Sequence, residues 1–394
     1  MSRILVWSPN YAPELTGIPP LVTEAADWLA ARGHEVDVVT PLPNYPERRI
    51  HDDYRGRIWM SERRGDVRVH RAWLRVRPEE GFVDKALYEL TASTMALPSV
   101  LKRLRRTDVL LCVMPTLLAA AYATALPRRP RVVLWVQDLV TVGAGALGLG
   151  GAARRAVAAA ASLERTAVRR ADRVVVCSRG FRDYFVARGA DAGKIDVIHN
   201  WVDLDWIEPR SQPSENGHLR VLYAGNLGYS QGFETLIEAA RIGGDNISVD
   251  IVGDGNAARA VALLAAAVCN VSVRPPVPRK DFPGLLASHD AHVVIQRRVS
   301  AGANLPSKIA TYLASGRPVV ASIDSATSAA ELLRESGGAV LVEPESPAAL
   351  AAAMQALARD ADLRDELGRR GRKYAEQHLA KGPALQQLEE ALLG

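Results

Sequence analysis

Residues 219–240 read LRVLYAGNLGYSQGFETLIEAA and contain the transition that decides the fold. The segment opens with a short apolar run typical of a buried β-strand and closes with the spacing of an amphipathic helix. The loop between them contains Gly225, Gly228 and Gly232. A strand that leads through a glycine-rich loop into a helix indicates a βα unit of a parallel sheet, with backbone amides free to approach a phosphate.

The same alternation of strand and helix extends in both directions from this segment. Short β-rich runs such as RILVW (3–7), DVLLCVM (108–114) and RVVLWV (131–136) alternate with helical stretches, and the series starts again at residue 219. Alternating strands and helices imply parallel sheets. We therefore predict an α/β protein with two Rossmann-like, doubly wound domains.

The length of 394 residues also favours two domains. We place an N-terminal domain at 1–202 and a C-terminal domain at 219–375. The segment 203–218 between them is rich in Pro, Ser, Glu and Asn, which suits a linker. The last stretch of the chain is helical and charged, and a helix at about 376–394 could pack back onto the first domain.

Charge and cysteine content exclude several classes of protein. The 49 basic and 44 acidic residues leave a net charge of +5, too balanced for a dedicated nucleic-acid-binding protein. An acidic ligand is compatible with this charge. Cys112, Cys177 and Cys269 are too few for a disulfide framework or a zinc site, and we expect buried thiols.

Three stretches bear on membrane contact and location. Residues 109–126, VLLCVMPTLLAAAYATAL, approach transmembrane length, but Pro115 and Thr116 divide them. We interpret them as a buried strand followed by a helix. The apolar run after Arg3 is too short for a signal peptide, so a cytoplasmic location is expected. Residues 82–106 combine apolar positions with a basic end, which suits either peripheral contact with the inner membrane or an ordinary surface helix.

The second half contains a further motif, GANLPSK (302–308), before a short helix. Its lysine and the amides of the glycine-rich loop would meet the charge of a diphosphate without a metal ion. No GxGxxG follows the first strand of either half, which counts against a dinucleotide-dependent oxidoreductase.

The ordered motifs resemble family-4 retaining glycosyltransferases of the GT-B fold, in which two Rossmann-like domains face each other across a cleft. The similarity is closest to the branch of colanic-acid and O-antigen fucosyl- or N-acetylfucosamine-type transferases. It is carried by YAPELTGIPP (11–20), NYPERR (44–49), WVQDL (135–139), ADRVVVCSRGF (171–181), YAGNLGYSQGFETL (223–236) and LPSKIATYLASGRPVVAS (305–322).

The resemblance implies a role for each matching position. The expected donor-binding residues are Gly17, Asn226, Gln231, Gly253, Asp254, Val277, Asn304, Leu305, Pro306, Ser307, Lys308 and Thr311. The expected catalytic residues are Lys308, for the leaving diphosphate, and Asp138 and Glu14, for hydrogen bonds to the sugar or acceptor. Helix or loop capping is the alternative role of the two carboxylates.

The chain departs from the family pattern at charged positions. Asn226 and Gln231 stand where the family has Arg and Lys, and Ala303 and Thr311 stand where it has an acidic pair. Gln137 replaces a histidine beside Asp138. The predicted donor site is therefore poor in charge, and Lys308 must meet a larger share of the phosphate charge.

The expected activity is retaining transfer from a nucleotide-diphosphate sugar, UDP-sugar favoured, to a glycan, lipid-linked or small-molecule acceptor. We expect no metal ion and no other cofactor, and no nucleic-acid partner. The resemblance leaves two alternatives open. They are a GT-B nucleotide-sugar 2-epimerase and a nucleotide-sugar-binding protein with weak catalytic power.

Overall fold

The computed structural model describes residues 1–15, 17–45, 48–77, 82–126, 129–139, 142, 151–209, 217–298 and 305–394. The chain divides into two units, Met1–His199 with Gly382–Gly394, and Asn200–Lys381. The second unit starts before the predicted linker because the Val202 amide donates to the Leu379 carbonyl oxygen over 2.9 Å. That hydrogen bond attaches the chain after Asn200 to the second unit.

Among its described residues as far as residue 199, the first unit contains eight strands and five α-helices. The strands are β1 (Arg3–Trp7), β2 (Glu35–Pro41), β3 (Trp59–Arg64), β4 (Val67–Ala72), β5 (Val109–Met114), β6 (Arg131–Val136), β7 (Arg173–Val176) and β8 (Ile195–Val197). The helices are α1 (Ile18–Ala31), α2 (Phe82–Leu104), α3 (Leu117–Ala125), α4 (Gly151–Arg170) and α5 (Arg179–Val186).

The first sheet has the strand order β3-β4-β2-β1-β5-β6-β7-β8. All its pairs are parallel except β3 with β4, and the antiparallel β3 lies at the edge with a mostly exposed, charged sequence. The central β5 is buried at every position, because parallel strands are covered by helices on both faces. The strand order reverses between β1 and β5.

The second unit contains six strands and seven helices among its described residues. The strands are β9 (Leu219–Ala224), β10 (Ile247–Val252), β11 (Val271–Arg274), β12 (Ala291–Ile295), β13 (Val319–Ser322) and β14 (Ala339–Val342). The helices are α6 (Phe233–Gly243), α7 (Ala258–Ala265), α8 (Phe282–Ala287), α9 (Lys308–Ala314), α10 (Ser328–Ser336), α11 (Pro347–Arg359) and α12 (Ala361–His378).

The second sheet is parallel throughout, in the order β11-β10-β9-β12-β13-β14. Successive strand residues pack on opposite faces, so Val221 and Val293 lie in one hydrophobic cluster and Leu222 and Val294 in the other. The order reverses between β9 and β12. In such sheets ligands bind beyond the carboxyl ends of the strands at the reversal.

These two sheets confirm the predicted fold class of two Rossmann-like, doubly wound units. Residues 109–126 form β5 and α3, as predicted. Within the described ranges, no helix is both long and apolar enough to cross a membrane. Cys112 and Cys177 are buried, but the prediction for Cys269 was wrong, because Cys269 lies in the exposed turn between α7 and β11.

The last helix, α13 (Lys381–Leu393), packs on the first unit. Its Glu389 carboxylate accepts hydrogen bonds from Trp28 Nε1 over 3.3 Å and from His34 Nε2 over 3.1 Å, and pairs with Arg32 over 2.6 Å. Burial by itself raises the pKa of Glu389, but these partners outweigh it and hold the pKa below its usual range. The charged carboxylate therefore stabilises this contact.

We expect Glu389→Ala to lower the free energy of unfolding by about 1–3 kcal/mol, because three polar partners lose their acceptor. Urea denaturation near neutral pH measures this effect. A carboxylate with a depressed pKa stabilises above its unfolded pKa, so the difference from wild type shrinks as the pH falls below about 4. The exposed neighbour Glu390 provides the control: Glu390→Ala should change stability by less than about 0.5 kcal/mol. Equal losses in both variants would contradict the assignment.

Candidate functional site

The glycine-rich loop of the second unit begins where β9 and β10 end side by side. The Gly225 amide donates to the Val252 carbonyl oxygen over 2.9 Å. Gly225 has φ = 131°, a conformation that side chains rarely allow. A Cβ added to Gly253 would lie 1.8 Å from the Gly225 carbonyl oxygen. The two glycines therefore let the backbone segments after β9 and β10 meet, next to the position where the strand order reverses between β9 and β12.

Helix α9 is attached to the same place by Tyr312. The Ala224 amide donates to the Tyr312 hydroxyl over 2.7 Å, and this hydroxyl lies 3.2 Å from the Ala224 carbonyl oxygen. Tyr312 is fully buried. Lys308 stands four residues earlier, so both side chains project from one face of the helix.

Lys308 extends from this helix over the ring of Tyr223. Its Nζ lies 3.5 Å from the ring centroid, and the atom is closed to solvent. The part of the chain that the structure describes offers this nitrogen no hydrogen-bond partner. Burial lowers the pKa of Lys308 to about 7. A buried amine without a partner is costly, so an anionic ligand at this position would gain a charge-assisted contact.

The polar side chains predicted in the glycine-rich loop have separate surroundings. Gln231 Oε1 accepts a hydrogen bond from the Gly228 amide over 2.9 Å, which closes the loop on itself. Asn226 is exposed, and its carbonyl oxygen accepts a hydrogen bond from the Tyr223 hydroxyl over 2.8 Å. Gln231 therefore shapes the loop, while the Asn226 side chain is available to a ligand.

Arg297 also holds this loop, although it was not among the predicted residues. Its backbone amide donates to the Ser230 carbonyl oxygen and its Nε to the Tyr229 carbonyl oxygen, both over 2.9 Å. Its guanidinium pairs with Glu234 at the start of α6 over 2.7 Å. The available signal was its position directly after β12, at the end of the sheet where loops carry function.

The remaining residues predicted for the donor site differ in their surroundings. Val277 and Leu305 pack half-buried against the cluster that contains Ile309. Asp254 and Ser307 are exposed, and Pro306 and Thr311 are half-buried. Asn304 lies outside the described residues. The structure brings Gly253 and Lys308 together around Gly225, and a ligand contact of the other residues stays a prediction.

In the first unit, the predicted Glu14 is buried and joins two loops. Its carboxylate accepts hydrogen bonds from Asn10 Nδ2 and the Tyr11 amide in the loop after β1. It also accepts from the amides of Asn44 and Tyr45 in the loop after β2, over 2.8 Å each. Burial raises the pKa of Glu14, and these hydrogen bonds oppose the rise. The geometry favours the alternative of a structural carboxylate.

Asp138 and Gly17 lie at the same carboxyl-terminal edge of the first sheet. Asp138 comes after β6 and is half-buried, and burial raises its pKa to about 6. Gly17 precedes α1 with φ = 83°, and a Cβ there would lie 4.0 Å from the Tyr45 ring. Burial raises the pKa of Tyr45, and the charges of Asp138 and Glu14 add to the rise, so these groups are neighbours. Tyr45 was not predicted from the sequence.

Comparison with known proteins agrees with this arrangement. Residues 16–201 match the family described as glycosyl transferase 4-like domain, and residues 218–360 match glycosyl transferases group 1. The chain is 32% identical over 414 residues to the putative colanic acid biosynthesis glycosyl transferase WcaI of Escherichia coli (strain K12), and the match covers 100% of both proteins.

Solved structures share the fold. Sucrose-phosphate synthase from Thermosynechococcus elongatus superimposes with a TM-score of 0.76 at 17% identity, covering 99% of this chain and 98% of the other. Anabaena Alr3699/HepE superimposes with a TM-score of 0.71 at 18% identity, and the match covers 99% of each chain. The molecule is thus a glycosyltransferase with the GT-B fold. The chain belongs to the family that joins a glycosyl transferase 4-like domain to a group 1 domain.

We expect Gly253→Ala to lower the free energy of unfolding by about 1–3 kcal/mol or more, because the methyl group would overlap the Gly225 carbonyl oxygen. Thermal and urea unfolding measure the loss. Gly284 in α8 is the matched control, since no atom lies within 4 Å of a Cβ added there. Gly284→Ala should leave stability unchanged or slightly higher. A harmless Gly253→Ala would show that the close approach is not required.

Proposed function

We propose that this glycosyltransferase moves a sugar, with retention of configuration, from a nucleotide-diphosphate sugar to a hydroxyl of a glycan or lipid-linked acceptor. The observation that carries the proposal is the buried Lys308 Nζ, unpaired in the described structure and adjacent to the glycine-rich loop. A UDP-sugar is the favoured donor. The complexes of HepE with UDP and with UDP-glucose support this choice. The name of WcaI, which refers to colanic acid biosynthesis, supports a glycan acceptor.

Lys308 and backbone amides would stabilise the leaving diphosphate. Negative charge grows on the oxygen that leaves the sugar, and a fixed cation aimed at that oxygen lowers the barrier. We propose that no metal ion shares this task. Across the described ranges, no three His, Cys, Asp or Glu side chains stand close enough to hold one. Lys308 then supplies the main positive charge for the diphosphate.

Retention would follow from a front-face displacement. The acceptor hydroxyl attacks the anomeric carbon from the side that the diphosphate leaves, and its proton passes to the departing phosphate oxygen. Asp138, with a pKa raised to about 6, is the proposed hydrogen-bond partner of the sugar or acceptor. Glu14 would act through the loops that it joins, by placing Tyr45 and Gly17.

We expect Lys308→Ala to raise the Kd for UDP-glucose about 10- to 100-fold, the equivalent of one charge-assisted contact of about 1.5–3 kcal/mol. Calorimetry and donor-induced thermal shift measure the change. Lys280→Ala, which alters an exposed lysine of the same unit, should bind like wild type. Wild-type affinity in Lys308→Ala would remove the basis of the proposed donor site.

We also propose that the enzyme works at the cytoplasmic face of the inner membrane, where lipid-linked acceptors are found. Val83, Leu90 and Leu101 of α2 are 68%, 44% and 46% exposed. They are spaced by 7 and 11 residues, close to two and three helical turns, so they share one face. The basic Lys102 and Arg105 follow at the end of the helix. An apolar stripe with a basic end suits an anionic membrane surface.

The edge strand β3 continues this surface. Ile58 and Trp59 are each 54% exposed, and Trp59 Nε1 donates to the Met95 carbonyl oxygen of α2 over 3.0 Å. Tryptophan is favoured at the boundary between lipid and water because its ring is apolar and its N–H is polar. The hydrogen bond places Trp59 against α2, so helix and strand would meet the lipid together.

The double variant Leu90→Ser/Leu101→Ser should reduce co-sedimentation with vesicles containing anionic phosphatidylglycerol by at least about fivefold, because two apolar contacts are lost. Leu263→Ser changes a leucine of the second unit that is 70% exposed, and should bind vesicles like wild type. Equal binding of wild type to neutral and anionic vesicles would refute the membrane proposal.

A further inference from the structure

Lys308 Nζ is enclosed by neutral groups. The Tyr223 ring lies below it, and the backbone of Gly225 lies beside it, since a Cβ added to Gly225 would be 3.2 Å from the nitrogen. Burial raises the pKa of Tyr223 far above its usual range, so this phenol carries no charge near neutral pH. Neither neighbour offers an anion to an ammonium group.

Among the described residues, no charge on the surrounding elements shifts the pKa of Lys308, and burial alone lowers it. Burial raises the pKa of Tyr312 on α9 and keeps it neutral. His292 on β12 packs on the Tyr312 ring with 4.6 Å between centroids, and burial lowers its pKa well below the usual range. In the sequence, residues 299–304 precede Leu305 and contain only Val, Ser, Ala, Gly and Asn, none of which titrates.

The charged side chains in the loop after β12 are two cations that have other partners. Arg297 pairs with Glu234, and Arg298 pairs with Asp324 and Glu343. These carboxylates are therefore engaged away from Lys308. Such an environment disfavours the charged form of the lysine until a ligand brings negative charge.

We propose that the donor-free enzyme holds Lys308 as a neutral amine at slightly alkaline pH, and that a nucleotide-diphosphate sugar binds together with one proton taken up at Nζ. The inference rests on the proposed function, because the diphosphate is the group that would neutralise the ammonium. The bound pyrophosphate supplies the anionic oxygens that the protein lacks at this point. Proton and donor therefore stabilise each other's binding.

The pH dependence follows from linkage. The pKa of about 7 in the donor-free protein means that Lys308 is protonated below neutral pH, and binding there requires no proton. Above that pKa, each pH unit should raise the Kd about tenfold, until the pKa of the complex is reached. A donor-site lysine that kept its usual pKa would give a flat profile over the same range.

The pH dependence of protein stability provides a second test of this inference, and it does not involve the donor. The unfolded chain binds the lysine proton up to about pH 10, whereas the folded protein releases it near pH 7. Lys308 therefore destabilises the folded state at low pH, and this penalty fades as the pH rises from about 7 to 10. Lys308→Met, which removes the amine, should be more stable than wild type at about pH 6 and lose this advantage by about pH 10.

The decisive experiment is calorimetry of UDP-glucose binding in two buffers with different ionisation enthalpies. UDP-glucose is the better probe than UDP, because a terminal phosphate titrates near pH 6 and would add its own proton. At about pH 8 wild type should take up close to one proton, and at about pH 6 close to none. Lys280→Met, at an exposed lysine, should take up as much as wild type.

Lys308→Arg separates charge from titration, because the guanidinium stays protonated. Any binding by this variant should involve no proton uptake and a flat Kd between about pH 6 and 9. Proton uptake in Lys308→Arg, or none in wild type at about pH 8, would overturn the inference and leave the donor site standing. Failure of wild type to bind UDP-glucose at about pH 6 would instead overturn the proposed donor, and with it this inference.

Discussion

The hydrogen bonds between the Tyr312 hydroxyl and the backbone of Ala224 determine where the chemistry of the second unit can take place. Helix α9 spans only Lys308–Ala314, too short to be stable alone, so tertiary contacts must hold it. The contact at Ala224 attaches it to the end of β9. Lys308, one turn earlier, is thereby carried over Tyr223 and beside Gly225, and the cost of burying its amine is met by the packing of the whole unit.

The first unit contains the opposite case, a buried carboxylate that its own chain satisfies. Glu14 accepts hydrogen bonds from the loop after β1 and from the loop after β2, including the amides of Asn44 and Tyr45. A buried charge with a full set of partners organises structure, whereas a buried charge without partners is open to a ligand. This contrast underlies the proposals that Glu14 positions the two loops and that Lys308 binds the donor.

Much of the fold could be predicted because buried parallel strands have a recognisable sequence pattern. Buried strands such as β5 are continuous apolar runs, and the glycines after β9 indicate the loop that follows this strand. The role of Arg297 could not be predicted, because it depends on carbonyl oxygens about seventy residues earlier in the chain. The prediction that Cys269 is buried was wrong, because apolar residues beside it in the sequence do not prevent its own turn from being exposed.

The sequence by itself determined the alternation of strands and helices, the glycines at which strand ends meet, and the identity of the one lysine in the LPSK motif. Only the tertiary structure decided the state of that lysine. Its surroundings are assembled from β9, α9 and β12, which are distant in the chain, and desolvation depends on distance in space. A motif can therefore specify that a cation is present, but the packing around it decides whether the group is charged before the substrate arrives.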